Sequence, residues 1–255
     1  MEYKNFSLAL ARQAGAIIKT NFSLGMKKNW KADETPVTAT DLAINQLVID
    51  SVRANFPEHS VLSEEGSHLL AGSQYTWVCD PVDGTIPFSH GVPTCVFSLA
   101  LCRDGLPIAG VTYDPFMDRM LWAEKGKGTW LNDKQVHVSQ QKTFEKSVFG
   151  TCIWKGSDAV ADISFLPEKI EAAGSILINV CSIVYMGSLV ASGEFLGTVF
   201  VGPYAHDTAA LKIIVEEAGG KVTDLFGNDQ RYDGPVKGHI IANPVIHEKI
   251  LQMLR

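Results

Sequence analysis

No uninterrupted apolar stretch in the 255-residue sequence approaches the roughly 20 residues that a membrane-spanning helix needs. The opening Met-Glu-Tyr-Lys-Asn-Phe places no basic segment before an apolar run, so it predicts no secretory signal. The five cysteines are odd in number, and none of their spacings matches a zinc knuckle. These absences argue against a membrane protein and a disulfide scaffold, and they predict a reduced, cytoplasmic chain.

Basic residues are the scarcer charged class, with 22 Lys and Arg against 28 Asp and Glu and a net charge of -6. A general nucleic-acid binder would normally carry a basic face, so nucleic acid is not an expected partner. A small anionic metabolite stays open as a substrate because a bound metal can reverse the local charge. The sequence also lacks internal repeats and Pro- or Ser-rich linkers, and its composition predicts one globular domain over 1–255.

Hydrophobic spacing changes between helical and strand periods along the chain. Helices are predicted over 2–22, 40–55, 182–192 and 207–218, and from 244 onward. Strands are predicted over 75–79, 96–102, 106–112, 120–123, 128–131 and 239–242, with a hairpin turn at Arg103-Asp104-Gly105. A loop is predicted over 27–38, and the pattern over 151–175 favours neither helix nor strand. Interspersed helices and strands with an antiparallel hairpin predict a layered α+β fold, not a doubly wound parallel sheet.

Acidic residues stand at the ends of these predicted elements. Glu64 and Glu65 follow a short apolar run, Asp80 and Asp83 follow the strand at 75–79, and Asp207 is a candidate cap for a later helix. Carboxylates just beyond strand ends lie on the rims where layered α/β proteins bind ligands. Each acid alone is more simply explained as a cap or a solvated loop residue, so the combination carries the prediction.

The segment Asp80-Pro81-Val82-Asp83-Gly84-Thr85 has a restricted backbone. Pro81 fixes its own φ and keeps Asp80 extended, so both carboxylates can turn toward one point beside the Val82 carbonyl. Oxygen ligands of this kind suit a hard cation such as Mg²⁺. Gly84 permits a tight turn, and the amides of Gly84 and Thr85 could hold phosphate oxygens if a helix begins there. The alternative is a simple turn.

Four segments together resemble the inositol monophosphatase family, part of a lithium-sensitive, magnesium-dependent phosphatase superfamily. They occur in the family's order and are Pro36-Val37-Thr38-Ala39-Thr40-Asp41, Ser63-Glu64-Glu65-Gly66, Asp80-Pro81-Val82-Asp83-Gly84-Thr85, and His206-Asp207-Thr208-Ala209-Ala210 running on to Glu217-Ala218-Gly219-Gly220. The resemblance implies an α/β/α/β/α sandwich of the inositol monophosphatase and fructose-1,6-bisphosphatase type. It also implies a metal-site half over roughly 1–140 and a substrate half over 141–255.

The resemblance assigns metal ligands residue by residue. Glu64, Asp80 and the Val82 carbonyl would hold a first Mg²⁺, and Glu64 would also face a third, weaker ion. Asp80, Asp83 and Asp207 would hold a second Mg²⁺. Mn²⁺ is expected to substitute for Mg²⁺, and Li⁺ to compete at the second site.

The resemblance also assigns the reaction and its catalytic residues. Thr85, hydrogen-bonded to Asp41, would orient the attacking water, and Glu65 would support the metal ligands. The expected reaction is in-line attack of water on a small phosphate monoester, with two metals about 4 Å apart stabilising the attacking and leaving oxygens. A homodimer is expected because family members are generally dimers.

Departures from the family pattern concentrate where the alcohol of the substrate would bind. Ile183 stands where the family prefers Ala, Phe200 where it has the acid that contacts inositol hydroxyls, and Tyr204 at a polar contact position. His206 replaces a Trp, and filling that space is the simpler interpretation than ligating metal. Pro87 replaces an Asn without removing a ligand.

These departures argue against myo-inositol phosphate as the best substrate, since each unpaired hydroxyl would cost about 1–3 kcal/mol. Phe200 and Tyr204 could equally be core aromatics. Histidinol phosphate, fructose-1,6-bisphosphate, a sugar phosphate and a 3′-phosphoadenosine nucleotide stay open as substrates. A regulatory role with the transcription or RNA machinery is the alternative from a different class. The remaining histidines are predicted to be surface or capping residues.

Overall fold

A computed structural model describes residues 2–31, 36–153 and 159–255. Its helices are α1 (Glu2–Asn21), α2 (Ala39–Asn55), α3 (Thr85–Ser89), α4 (Leu166–Ala172), α5 (Ile183–Ala191), α6 (Ala209–Glu217) and α7 (Pro244–Leu254). Its strands are β1 (Asn29–Trp30), β2 (Pro36–Val37), β3 (Ser60–Ser63), β4 (Tyr75–Asp83), β5 (Val96–Arg103), β6 (Leu106–Asp114), β7 (Arg119–Glu124), β8 (Thr129–Leu131), β9 (Lys134–Val136), β10 (Ser147–Cys152), β11 (Ser175–Ile178), β12 (Gly197–Phe200), β13 (Lys221–Thr223) and β14 (His239–Ala242).

The larger sheet has seven strands in the order β3-β4-β5-β6-β7-β8-β9. β3 runs parallel to β4, and every later pair in this sheet is antiparallel. The predicted hairpin is confirmed as β5 and β6. Asp104 and Gly105 both have positive φ, at 51° and 79°, which is the backbone that a tight turn between twisted strands requires.

The smaller sheet has five strands in the order β11-β10-β12-β14-β13. β10 pairs in parallel with both β11 and β12, whereas β14 is antiparallel to β12 and β13. The sheet is therefore mixed, and its parallel pairs need the crossover helices α4 and α5 between their strands.

Five layers of helices and sheets pack on one another through three hydrophobic cores, of which one fills both sides of the middle helix layer. The first core packs α1 and α2 on the larger sheet, around Ile44 and Trp77. The second places α5 and α6 between the two sheets, and residues such as Leu211 and Ile214 are buried there. The third packs α4 and α7 on the outer face of the smaller sheet, around Ile246. This order confirms the predicted α/β/α/β/α sandwich.

Several local predictions differ from the structure. The predicted loop over 27–38 contains the short antiparallel strands β1 and β2. The undecided segment contains the end of β10 and all of α4, while 154–158 lie outside the described residues. The predicted cap at Asp207 is wrong, because Thr208 occupies the N-cap position of α6. Asp207 is thereby available to the acidic site described below.

Three histidines predicted as surface or capping residues are buried, so that prediction is wrong for them. His59 accepts a hydrogen bond from the Trp77 indole at 3.1 Å. The side-chain oxygens of Thr208 and Thr223 lie 2.7 and 2.8 Å from Nε2 of His239 and His247. Each ring has a polar neighbour, which lowers the cost of burying it. The spacing of residues in the sequence did not predict these partners.

Within the described residues, every helix is too short or too polar to cross a lipid bilayer.

Candidate active site

The C-terminal end of β4 carries two buried carboxylates. In a regular strand, residues three apart point to opposite faces. The pairing of β4 with β5 is irregular between Asp80 and Asp83, and a bulge of this kind re-aims side chains. Both carboxylates consequently reach the same site, although only 2% of Asp80 and 6% of Asp83 is exposed.

Gly84 ends this strand and precedes α3. Its φ of 92° lies in the left-handed region, where residues with a Cβ are strained. A Cβ would also lie 2.6 Å from the Thr94 carbonyl oxygen and 2.9 Å from Cβ of Ser182. Glycine is therefore required by backbone conformation and by packing, which fixes where Thr85 begins its helix.

The N-terminus of α5 holds the Asp83 carboxylate. The Ser182 hydroxyl donates to Oδ2, the Ile183 amide donates to Oδ1 at 3.2 Å, and the Val184 amide donates to Oδ2 at 2.9 Å. Helix N-termini favour negative charge because their first amides lack partners inside the helix. Ser182 was not predicted as a site residue, although a serine before an apolar helical run is a recognisable N-cap signal.

Two overlapping groups of possible metal ligands meet at Asp80. One ligand atom each from Asp80, Asp83 and Asp207 lies within 4.8 Å of the others. Ligand atoms of Glu64, Asp80 and His206 satisfy the same condition. The structure thus brings together the four acids named as metal ligands, from β4, from the end of β3 and from the segment before α6.

Thr85 connects the remaining predicted groups. Its Oγ1 lies 3.1 Å from Oδ1 of Asp41 and 2.9 Å from the Val82 carbonyl oxygen. The other oxygen of Asp41 accepts hydrogen bonds from the backbone and hydroxyl of Thr38, in a capping box that starts α2. Asp41 is fully buried, and this burial raises the pKa of its carboxyl despite the Thr38 hydrogen bonds. The Asp41–Thr85 pair is therefore rigidly held.

A lysine that the sequence did not single out lies against two of the acids. Nζ of Lys31 is 2.7 Å from Oε1 of Glu64 and 2.5 Å from Oε1 of Glu65. Burial alone would lower the pKa of Lys31, but Glu64 and Glu65 together raise it above its ordinary value. Lys31 stands among several lysines in the segment, and spacing alone did not distinguish it.

The acids of the cluster destabilise one another's charged forms. Burial raises the pKa of Asp83 to about 7, although the Ser182 hydroxyl and the α5 amides act in the opposite direction. Burial, followed by the charges of Glu64, Asp83 and Asp207, raises the pKa of Asp80 well above its ordinary value. Burial and the charges of Asp83 and Glu64 do the same to the pKa of Asp207. A cation would relieve this repulsion.

The residues predicted to contact substrate occupy different surroundings. Tyr204 and His206 are partly exposed, and their rings stack with centroids 5.5 Å apart and an interplanar angle of 19°. Ile183 and Phe200 are 4% and 2% exposed and belong to the core between the sheets. Phe200 also packs against the His239 ring within the smaller sheet. The structure therefore leaves Tyr204 and His206 near the acids and puts Phe200 in the core.

The donor set fits a hard divalent cation, since it consists of clustered buried carboxylates whose charges burial and mutual repulsion disfavour. Clustered acids of this kind at a strand end of a five-layered sandwich are typical of phosphatase families that use divalent metals. The sequence pattern of the inositol monophosphatase family matches residues 1–255, and the chain belongs to this family. It is accordingly a hydrolase of phosphate monoesters.

The relatives span several named activities. The fructose-1,6-bisphosphatase/inositol-1-monophosphatase of Thermotoga maritima is 29% identical over 260 residues, covering 100% of this chain and 96% of that protein. The putative Nus factor SuhB of Neisseria meningitidis serogroup B is also 29% identical, covering 99% and 97%. The crystal structure of the extragenic suppressor protein suhB from Bartonella henselae has a TM-score of 0.92 at 26% identity, covering 100% and 99%.

Proposed function

We propose that this protein hydrolyses a small phosphate monoester with Mg²⁺ as its cofactor. The observation that carries the proposal is the pair of ligand groups that share the buried Asp80 carboxylate. Two such groups at one carboxylate match the two-ion arrangement that supports in-line displacement at phosphorus. Bound cations would offset the mutual repulsion of these buried acids.

The ligand assignment follows the two groups. Glu64 and Asp80, with the Val82 carbonyl, would hold one ion, and Asp80, Asp83 and Asp207 would hold another. When bound, the ions supply positive charge that lowers the pKa of water and offsets the charge of the phosphate. The hydrogen bonds from α5 fix the Asp83 carboxylate in place for this role.

Thr85 and Asp41 would orient the attacking water. The Thr85 hydroxyl proton lies between two acceptors, Oδ1 of Asp41 and the Val82 carbonyl, so its lone pairs point away from both. Those lone pairs can accept a hydrogen bond from water and direct its oxygen toward phosphorus. A new oxygen–phosphorus bond then forms while the ester oxygen leaves on the opposite side. The amides of Gly84 and Thr85 would contact the phosphate oxygens, and Glu65 would hold Lys31 and Glu64 in position.

The alcohol end favours a substrate with a flat or apolar portion over a fully hydroxylated ring. Tyr204 and His206 present stacked rings near the acids. A flat ring of a substrate can stack on these rings, whereas a saturated polyol ring cannot. An imidazole-bearing alcohol such as histidinol phosphate and an adenosine nucleotide fit this surface better than inositol or fructose phosphates do.

Asp83→Asn tests the site and the activity together. We expect Mg²⁺-dependent phosphate release from a panel of about a dozen monoesters to fall at least about 100-fold, as it does when an essential charge is removed. Asp133→Asn is the matched control because Asp133 is exposed in the turn between β8 and β9. Full activity in Asp83→Asn would reject the site, and equal rates on all monoesters would reject a dedicated alcohol pocket.

The regulatory alternative and the homodimer stay predictions. Because one relative carries the name of a Nus factor, co-purification of the intact protein with RNA polymerase would support a binding role beside catalysis. A single species that carries no other protein would count against it. The mass of that species in solution would test the homodimer.

A further inference from the structure

His206 stands where it can act as a nitrogen donor toward the acidic site. One ring nitrogen lies within 4.8 Å of ligand atoms of both Glu64 and Asp80. A neutral imidazole nitrogen carries a lone pair that it can offer to a metal, which distinguishes His206 from the carboxylates around it.

The surroundings of His206 restrict how its ring can turn beside the acids. Stacking on Tyr204, with centroids 5.5 Å apart, restricts the plane of the imidazole. Nε2 of His206 lies 3.6 Å from Oδ1 of Asp207, which is longer than a hydrogen bond. Only 16% of the His206 side chain is exposed, so the ring is enclosed with the acids and not directed to solvent.

We propose that His206 ligates the divalent ion held by Glu64 and Asp80, and that this nitrogen makes the site prefer Co²⁺ or Zn²⁺ over Mg²⁺. Mg²⁺ selects oxygen donors, whereas imidazole suits the later first-row ions. The group Asp80, Asp83 and Asp207 contains carboxylates alone and keeps the hard-ion preference. The protein would then hold two chemically different ions side by side. This inference rests on the proposed metal-dependent function.

Spectroscopy on the wild-type protein tests the ligand directly. Mn²⁺ is added to the metal-free protein first below one equivalent and then to saturation, and electron spin-echo modulation detects nitrogen bonded to manganese. We expect imidazole nitrogen coupling in the wild type and in His137→Gln, whose histidine is exposed outside the site. Coupling should vanish in His206→Gln and in His206→Trp, whose indole offers no lone pair to a metal.

Titrations supply the affinity readout. Zn²⁺ affinity of the nitrogen-containing site should fall about tenfold or more in both His206 variants, the scale on which metal-site substitutions act, while Mg²⁺ affinity changes less than about twofold. If the wild type binds Mn²⁺ but shows no nitrogen coupling at either manganese level, the His206 inference is overturned and the proposed function is not. A wild type that binds neither Mn²⁺ nor Mg²⁺ overturns the proposed function as well. Nitrogen coupling that persists in folded His206→Gln would overturn the assignment of His206 as a metal ligand and leave the proposed function standing.

Discussion

The floor and the wall of the site are built on different principles. We define the floor as Asp41, Glu64, Asp80, Asp83, Asp207 and Thr85, and the wall as Tyr204 and His206. Floor carboxylates such as Asp83 are held by backbone amides at a helix start. The wall consists of two stacked rings. Phosphoryl transfer requires charged groups held in fixed positions. Binding of the alcohol portion can be achieved by many different side chains.

The electrostatics of the two regions differ in the same way. Burial raises the pKa of every floor aspartate, so the floor is unfavourable until a cation enters. Burial lowers the pKa of His206 in the wall, which keeps the ring neutral and uncharged toward substrate. The carboxylates of the floor thus repel one another until a bound metal offsets their charge, whereas the wall contributes little net charge.

The largest expected effect comes from the floor. Thr85→Ala removes the hydroxyl that Asp41 and Val82 orient, so kcat should fall about 100-fold or more, the scale of one positioned proton-handling group. Thr85→Ser keeps the hydroxyl and should retain activity within about tenfold. Steady-state phosphate release with saturating Mg²⁺ measures both. Equal kcat values for Thr85→Ala and the wild type would remove Thr85 from the reaction.

A wall substitution should change selectivity instead of chemistry. Tyr204→Ala removes one of two stacked rings, so the ratio of kcat/KM for an aryl phosphate to that for a polyol phosphate should fall about tenfold. The kcat for the smaller substrate should change less than about threefold, because the floor is untouched. Trp130→Ala is the control, since Trp130 is an exposed aromatic side chain on β8, outside the site. A parallel loss on both substrates would place Tyr204 in the floor.

The sequence predicted the floor better than the wall for a physical reason. Asp80 to Thr85 form a continuous segment whose proline and glycine restrict the backbone, so local rules suffice. The contacts of Lys31 and Ser182 join residues far apart in the chain, and no local pattern specifies them. The layered fold followed from periodicity and family resemblance together.

Errors in the sequence predictions came from tertiary contacts that override local preference. Asp is a residue type that often caps helices, but Thr208 occupies the N-cap position and Asp207 lies with the other acids. For Phe200 a substrate contact and a core aromatic were both left open, and the pairing of β12 with β14 puts the side chain in the core opposite His239. Burial of His59, His239 and His247 depended on partners distant in sequence.

The stored repulsion of the floor should appear in stability. A carboxyl whose folded pKa exceeds its unfolded value binds more protons when folded, so stability falls as pH rises between the two values. For Asp83 that window runs from about 4 to about 7. Asp207, whose pKa is also raised, adds to the same loss. The metal-free protein should therefore be less stable at pH 7.5, where the Asp83 carboxyl is mostly charged, than at pH 5, where it is mostly protonated.

Asp207→Asn isolates this effect by removing one charge. In EDTA at pH 7.5 the variant should melt about 2–4 °C above the wild type for each kcal/mol of relieved repulsion, and the gap should narrow at pH 4. When Mg²⁺ is raised until the melting temperature of the wild type stops rising, the wild type should become the more stable protein. Melting curves by calorimetry measure the reversal. A variant less stable under all conditions would show that Asp207 is structural.

The smallest expected effect concerns Lys31, which joins floor acids to the solvent edge. Its ammonium neutralises Glu64 and Glu65 and must lose part of that contact when an ion binds Glu64. Lys31→Met should strengthen Mg²⁺ binding about two- to fivefold at pH 8, because a partly exposed ion pair is worth ~0.5–1 kcal/mol. Lys31→Arg keeps the charge and should match the wild type in titration calorimetry. Weaker binding in Lys31→Met would mean that the lysine organises Glu64 and Glu65 for the ion, and competition would be the wrong description.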